Sequence, residues 1–408
     1  MLAAAPAGKG GDEFDGVQPA ALDQPRVNVI IRKQGQAAPL SGKTDLGETS
    51  NVEAFLDTGA SGVLLSEHTA NLLSVARERI GNAEARFEDV GVGGGDQFVI
   101  SEPLTVAIAA SDADVDVAPE TIRNVYRLSF GPVRTEIGPI GGGMLNALLR
   151  EAMGDLDVVG MPAMSGKVVV MNADAVNKIA DKIHTAVYDP KSDAGQIPKM
   201  SRHIRLSFVD FAAFTTTTPA TAAAPTINAN PFIGPDPVKR AFTDHTPPIS
   251  IAENGKQSPG SFLLDTGAVA SMISRKQAAA IGITYKAGTE NTDDPQLSGV
   301  PMDQQFTMTI GGIGGSKKAA GFYLDRLTLQ TVEGRPISYI HAPVLISDIT
   351  VKSAQTGTTL TLDGVFGMNF LVASAKISGD LLPDIDHITP GPYHWIVFDA
   401  ANGLLGLE

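Results

Sequence analysis

The sequence predicts an all-β protein built from two related halves, and three observations carry that expectation. Two large apolar residues followed by Asp-Thr-Gly-Ala occur twice, at residues 55–60 (FLDTGA) and 263–268 (LLDTGA). The stretches after each copy keep the same layout in the same register. Turn formers are abundant, with 43 Gly and 26 Pro in 408 residues, while helical periodicity is scarce.

The duplication extends well past the shared tetrapeptide. Residues 61–75 read SGVLLSEHTANLLSV and residues 269–283 read VASMISRKQAAAIGI. Each predicts a short apolar strand, a Ser placed to cap a helix, and a helical turn or two ending in an apolar residue. The register is constant, since 265 − 57 = 208 and 283 − 75 = 208. Solenoid repeats run at roughly 20–50 residues, so a period this long reads as a duplicated lobe. A second pair has nearly the same offset: residues 157–162 (DVVGMP) match 364–369 (GVFGMN), with 367 − 160 = 207. Gly160 and Gly367 each follow two apolar residues, a pattern that lets another backbone approach closely. Both are therefore expected beside the Asp-Thr-Gly loops. Each is followed by a further apolar strand, at residues 167–171 and 395–398.

Length and composition bound the functional classes. At roughly 100–200 residues per domain the chain holds two or more domains. A net charge of −14 argues against nucleic-acid binding, which needs clustered Lys and Arg along a phosphate track. The absence of cysteine excludes disulfides and thiolate metal sites. No apolar run approaches the ~18 residues of a membrane span. Residues 1–6 lack the apolar core of a signal peptide, and the chain reads as a mature segment behind an added Met. A secreted or periplasmic location is expected, with a cytoplasmic one as the alternative.

In chain order, residues 1–25 read as a flexible lead-in and 26–210 as the N-terminal lobe. Residues 211–248, rich in Thr, Ala and Pro, read as a linker, and 249–408 as the C-terminal lobe. Strands are expected at 27–31, 204–209 and 249–251, with a hairpin connection across 39–51 and a turn at Asn254-Gly255. Residues 86–108 predict a β-hairpin tipped by Gly93, Gly94 and Gly95. Residues 306–329 are its counterpart, tipped by Gly311, Gly312, Gly314 and Gly315. The glycine spacing at neither tip fits a phosphate-binding loop.

Two Asp-Thr-Gly loops on duplicated lobes can face each other across a pseudo-twofold axis. A carboxylate at the end of an apolar strand is costly to bury alone, so a second acid is expected beside it. Thr58 and Thr266 supply hydroxyls that can bond the opposite lobe's backbone. Gly59 and Gly267 allow the tight turn and leave N–H groups for the carboxylates. Asp57 and Asp265, held close, would share one proton, so that one acts as base and the other as acid on a water attacking an amide. That chemistry needs no metal and no cofactor. Its substrate would be a polypeptide bound extended, and the protein is expected to be a monomer.

Other constellations carry less. The seven His residues lack HExxH spacing and read as scattered surface or core positions. Ser61 and Ser271 lack the Gly-x-Ser-x-Gly elbow. The acidic clusters at 112–116 and 293–294 lack the glycine and closing Glu of a calcium loop and read as solvated turns. Trp395 is expected in the core.

Taken together, the two loops, the two glycine segments and the ending YHWIVFDAANGLLGL resemble the pepsin-like aspartic peptidases, in a divergent, bacterial-type form. The resemblance covers residues 26–408 apart from the linker and several loops. It implies two pseudo-twofold-related β-barrel-like lobes with a few short helices, Asp57 and Asp265 as the catalytic pair, and aspartic endopeptidase activity. Loop-locking and substrate-backbone roles would fall to Thr58, Gly59, Ala60, Thr266, Gly267 and Ala268. The chain departs from the family pattern in two places. Ala60 and Ala268 stand where pepsins carry Ser or Thr, as in retroviral-type proteases, and the first hairpin has no tyrosine. Hydrogen bonds to a charged group are worth about 1.5–3 kcal/mol, so without those hydroxyls an activity optimum nearer about pH 4–6 than strongly acid conditions is expected. The missing tyrosine keeps open a catalytically silent fold that binds peptide or protein. A fused retroviral-type pair with narrow self-processing is a third reading.

Overall fold

Strands dominate the molecule, as the composition predicts. The computed structural model describes residues 11–45, 47–91, 94–115, 122–138, 156–174, 176–178, 181–210, 239–243, 249–313, 315–352, 359–378 and 382–408. Among them, helix is confined to short pieces such as Glu67–Leu72 and Arg275–Ala280. One sheet closes almost into a barrel and another forms a half-barrel. No helix among the described residues is long and apolar enough to cross a membrane.

Each half contains the same small unit. Strand Asn51–Leu56 runs parallel to Val158–Val159, which pairs antiparallel with Val63–Leu65 on its other side. In the second half, Phe262–Leu264 runs parallel to Gly364–Phe366, which pairs antiparallel with Met272–Ile273. A strand flanked on both edges and covered on both faces must be apolar throughout, which is why both copies carry consecutive large residues. Phe55, Leu56, Leu263 and Leu264 are all buried.

The helices after the units start where the sequence places their caps. The Ser66 hydroxyl accepts from Thr69 N–H at 3.0 Å and the Ser274 hydroxyl from Gln277 N–H at 3.2 Å, each cap worth about 1 kcal/mol. Asp157 is buried, and its carboxylate accepts from Ser66 N–H at 2.7 Å and from the Thr69 hydroxyl at 2.6 Å. It thereby fixes the helix start to the strand that follows it.

The strands that follow the first unit enter the sheet of the second half, separate from the sheet that carries Asn51–Leu56. Val168–Asn172 pairs antiparallel with Trp395–Asp399, Val170 opposite Val397, and Leu404–Leu407 then pairs with Arg202–Asp210. Met171 and Phe398 are almost fully buried at this seam, and each such side chain contributes about 1.5–3 kcal/mol. Both glycine-tipped hairpins are present, Arg86–Gly91 with Gly94–Ile100 and Gln305–Gly312 with Gly315–Leu329.

Several expectations from sequence are corrected here. Residues 12–21 are no flexible lead-in: Asp12–Asp15 pairs parallel with residues 337–340, and Ala20–Ala21 pairs with Ser374 and Ala375. Every residue of the first strand has a distant partner. Asp12 meets Arg202 at 2.7 Å, Glu13 meets Arg326 at 2.6 Å and Asp15 meets His341 at 3.1 Å. The Phe14 ring lies 5.7 Å from Tyr339 and 5.4 Å from Tyr393. Val168–Asn172, His184–Tyr188 and Arg202–Asp210, assigned above to the N-terminal lobe, share a sheet with second-half strands. Lys239–Thr243, placed in the linker, is a strand that joins Arg202–Asp210 to Phe262–Leu264 through Phe242 and Leu263. The remainder of the expected linker lies outside the described residues. Trp395 is half-buried at the rim of the Val168, Val170 and Val397 cluster and does not enter the core.

Candidate active site

The two Asp-Thr-Gly loops are locked together by their threonines. The Thr58 hydroxyl donates to the Leu264 carbonyl at 2.7 Å and accepts from Thr266 N–H at 3.0 Å. Thr266 reciprocates, donating to the Leu56 carbonyl at 2.6 Å and accepting from Thr58 N–H at 3.0 Å. Both side chains are buried, so the four bonds form where water cannot compete for them. Beneath them Val169, Met171 and Phe398 close the underside.

This lock brings the acids together. A Cβ built on Gly59 would lie 2.6 Å from Asp265 Cγ, and one built on Gly267 would collide with the Asp57 carboxylate. Each carboxylate thus lies against the glycine of the opposite loop, a contact only an absent side chain permits. Asp57 Oδ1 accepts from Gly59 N–H at 2.6 Å and Ala60 N–H at 3.2 Å, and Asp265 Oδ1 accepts from Gly267 N–H at 2.9 Å. Both acids are partly exposed, so solvent and ligand can reach them. The arrangement offers two adjacent carboxylates oriented by backbone N–H groups, which can move protons to and from one bound water.

The glycine segments lie where close backbone approach was expected. Asp57 N–H donates to the Val159 carbonyl and Asp265 N–H to the Phe366 carbonyl, both at 3.0 Å. Met161 N–H reaches the Ala60 carbonyl and Met368 N–H the Ala268 carbonyl, both at 2.9 Å. A Cβ on Gly160 would fall 2.5 Å from the Gly62 carbonyl oxygen, and one on Gly367 would fall 2.8 Å from that of Ala270.

The hairpins also meet. A Cβ on Gly91 would fall 2.8 Å from Ile313 Cβ, so the tip of the first hairpin touches that of the second. Gly94 and Gly95 are exposed beside this contact, and Gly93 lies outside the described residues. The aromatic residues of the first hairpin, Phe87 and Phe98, are buried at its base, opposite each other and away from the tip.

Sequence reasoning missed the residues that brace the loops from outside. The Pro25 carbonyl accepts from Leu56 N–H at 2.9 Å, and the Gln24 side-chain amide donates to the Gly267 carbonyl. The Ser271 hydroxyl accepts from Gly367 N–H at 2.9 Å and donates to Asn369 at 2.7 Å. Ser271 and Asn369 belong to the duplicated segments and were legible as such. Gln24 belongs to no repeat or motif, and no sequence signal pointed to it.

Compared with known proteins, the chain matches no protein-family model, and a search of curated proteins returns no match.

Proposed function

We propose that the chain is an aspartic-type endopeptidase of the pepsin-like, bilobal kind, with Asp57 and Asp265 as its catalytic pair. The observation that carries this reading is the reciprocal packing of each carboxylate against the opposite loop's glycine. The mechanism this reading implies needs one proton held between the two acids. The ionised member takes a proton from a bound water as the water attacks the amide carbon. The protonated member donates to the carbonyl oxygen, and a tetrahedral diol forms without a covalent enzyme intermediate. Return of a proton to the amide nitrogen then releases the amine. An extended polypeptide would lie between the acids and the hairpins, pairing through its backbone with the strand edges there.

The buried position of both first-hairpin phenylalanines favours a second reading, a peptide-binding protein of the same fold that does not turn over. Hydrolysis of a denatured protein separates the two, assayed between about pH 3 and 7 with and without a statine-type inhibitor, alongside Asp57→Asn. Inhibitable cleavage that Asp57→Asn abolishes is the expected result. Saturable peptide binding with no cleavage at any pH would leave the binding protein in its place.

A further inference from the structure

The segment before the first long strand touches both catalytic loops, although it belongs to neither repeat. Residues 17–25 are mostly buried and pass between the halves. Gln18 N–H donates to the Ser374 hydroxyl at 2.9 Å, Ala21 N–H to the Val269 carbonyl at 2.8 Å and Leu22 N–H to the Ala373 carbonyl at 2.8 Å. The chain then crosses over. The Asp23 carboxylate accepts from Ile183 N–H at 2.8 Å and pairs with Arg26, whose guanidinium lies 4.3 Å from the Phe55 ring centroid. At the crossing point two consecutive residues hold the two loops, Pro25 through Leu56 N–H and Gln24 through the Gly267 carbonyl.

We propose that Gln24 is a positioning residue for Asp265, and that residues 17–25 form a strap setting the two carboxylates against each other. The chemistry follows from the bonds around Gly267. Its N–H orients the Asp265 carboxylate, while its carbonyl, one peptide plane further on, is the acceptor for Gln24. A donor fixed to that carbonyl holds the peptide's tilt, and with it the direction of the neighbouring N–H groups. Gln24 is buried, so no water replaces the amide cheaply when it is removed. Because the next residue, Pro25, holds Leu56 N–H ahead of the other loop, the strap ties the two loops together, and relative movement of the loops would strain it.

The inference rests on the peptidase reading, and its test separates the two. Gln24→Ala and Gln24→Glu are compared with wild type in cleavage of a denatured protein, in thermal melting, and in amide hydrogen exchange across residues 264–268. Gln24→Ala is expected to lower kcat about tenfold or more at little change in KM, as loss of an orienting contact does. Exchange at Thr266, Gly267 and Ala268 should quicken about tenfold, while Gly59 and Ala60 keep the wild-type rate. Gln24→Glu can donate to the Gly267 carbonyl only when its carboxyl is protonated. Its activity should approach wild type at low pH and fall away on the alkaline limb, a narrowing that simple loosening of the fold would not produce. Wild-type kcat, pH profile and loop exchange in both variants would overturn the proposal. If wild type cleaves nothing, the peptidase reading fails by itself, and the exchange arm decides whether Gln24 positions the loop.

Discussion

Thr58 and Thr266 each satisfy two buried backbone groups belonging to the opposite loop. Replacing one hydroxyl by a methyl keeps the volume but orphans a carbonyl and an N–H. At about 1–3 kcal/mol per unsatisfied buried group, Thr58→Val or Thr266→Val is expected to cost about 2–6 kcal/mol. The double variant should cost clearly less than the sum, because the four bonds form one network. Urea unfolding midpoints of the three variants check this, and strict additivity would mean that the hydroxyls act separately. Gly59 and Gly267 allow a different test at the same scale. A methyl at either position meets the opposite carboxylate, so Gly267→Ala should separate the acids and abolish hydrolysis while melting stays cooperative. The Asp-Thr-Gly residues were legible because their chemistry is concentrated in a tripeptide that occurs twice in register. Gln24 was not, since its importance comes from one carbonyl 243 residues away.

Among the elements, those whose pattern is local were legible and those held by distant partners were not. The hairpin at residues 86–100, the capping serines and the apolar strands before each acid follow from turn residues and short-range alternation. The strand Asp12–Asp15 reads DEFD, a sequence with little strand preference of its own. It forms because Arg202, Arg326 and His341 pair its acids and an aromatic cluster receives Phe14. Phe14→Ala should therefore destabilise the protein by about 2–3 kcal/mol in denaturant titration, and a change below about 0.5 kcal/mol, typical of surface positions, would mean the strand adds nothing to the fold. The hairpins carry a functional expectation. The tips touch at Gly91 and Ile313, so on the peptidase proposal a polypeptide entering between them would have to part them. The chain has no cysteine, which makes Gly91→Cys with Ile313→Cys the only thiol pair in the doubly substituted protein. A disulfide needs Cβ atoms about 3.5–4.5 Å apart, so the tips need to shift by only about 1 Å to form it. The oxidised form should lose cleavage of long polypeptides by about tenfold or more and regain it on reduction. Equal activity in both forms would show that the hairpins need not open.

For the molecule as a whole, one hydrophobic cluster draws on both halves and makes stability a global property, and its pH dependence can be signed. Burial pushes the Tyr126 and Tyr285 hydroxyls up to about 12, and it raises Tyr339 and Tyr393 further still. The last two hydroxyls lie 2.9 Å apart, and Tyr339 also donates to the Phe370 carbonyl at 2.9 Å. Each of these phenols ionises more readily in the unfolded chain, at the ordinary tyrosine value of about 10. Their contribution is therefore complete below about pH 10 and is lost as pH rises from there toward 12 and beyond. Glu253 acts in the same direction at lower pH, because burial raises its carboxyl and stability falls as pH climbs above its ordinary value. Asp189 opposes it. Its hydrogen bond from Lys167, with those from the Lys191 and Ser192 N–H groups, holds it down at about 2. That contribution is present above the ordinary carboxylate range and is lost as pH falls toward 2. Melting temperature should accordingly peak on the acidic-to-neutral side and drop steeply above about pH 10. Tyr393→Phe removes one titrating phenol while leaving the ring in the cluster, so the alkaline limb should become shallower by about one proton. An unchanged limb in Tyr393→Phe, measured by thermal melting between about pH 9 and 12, would show that the buried tyrosine pair does not set the alkaline limit.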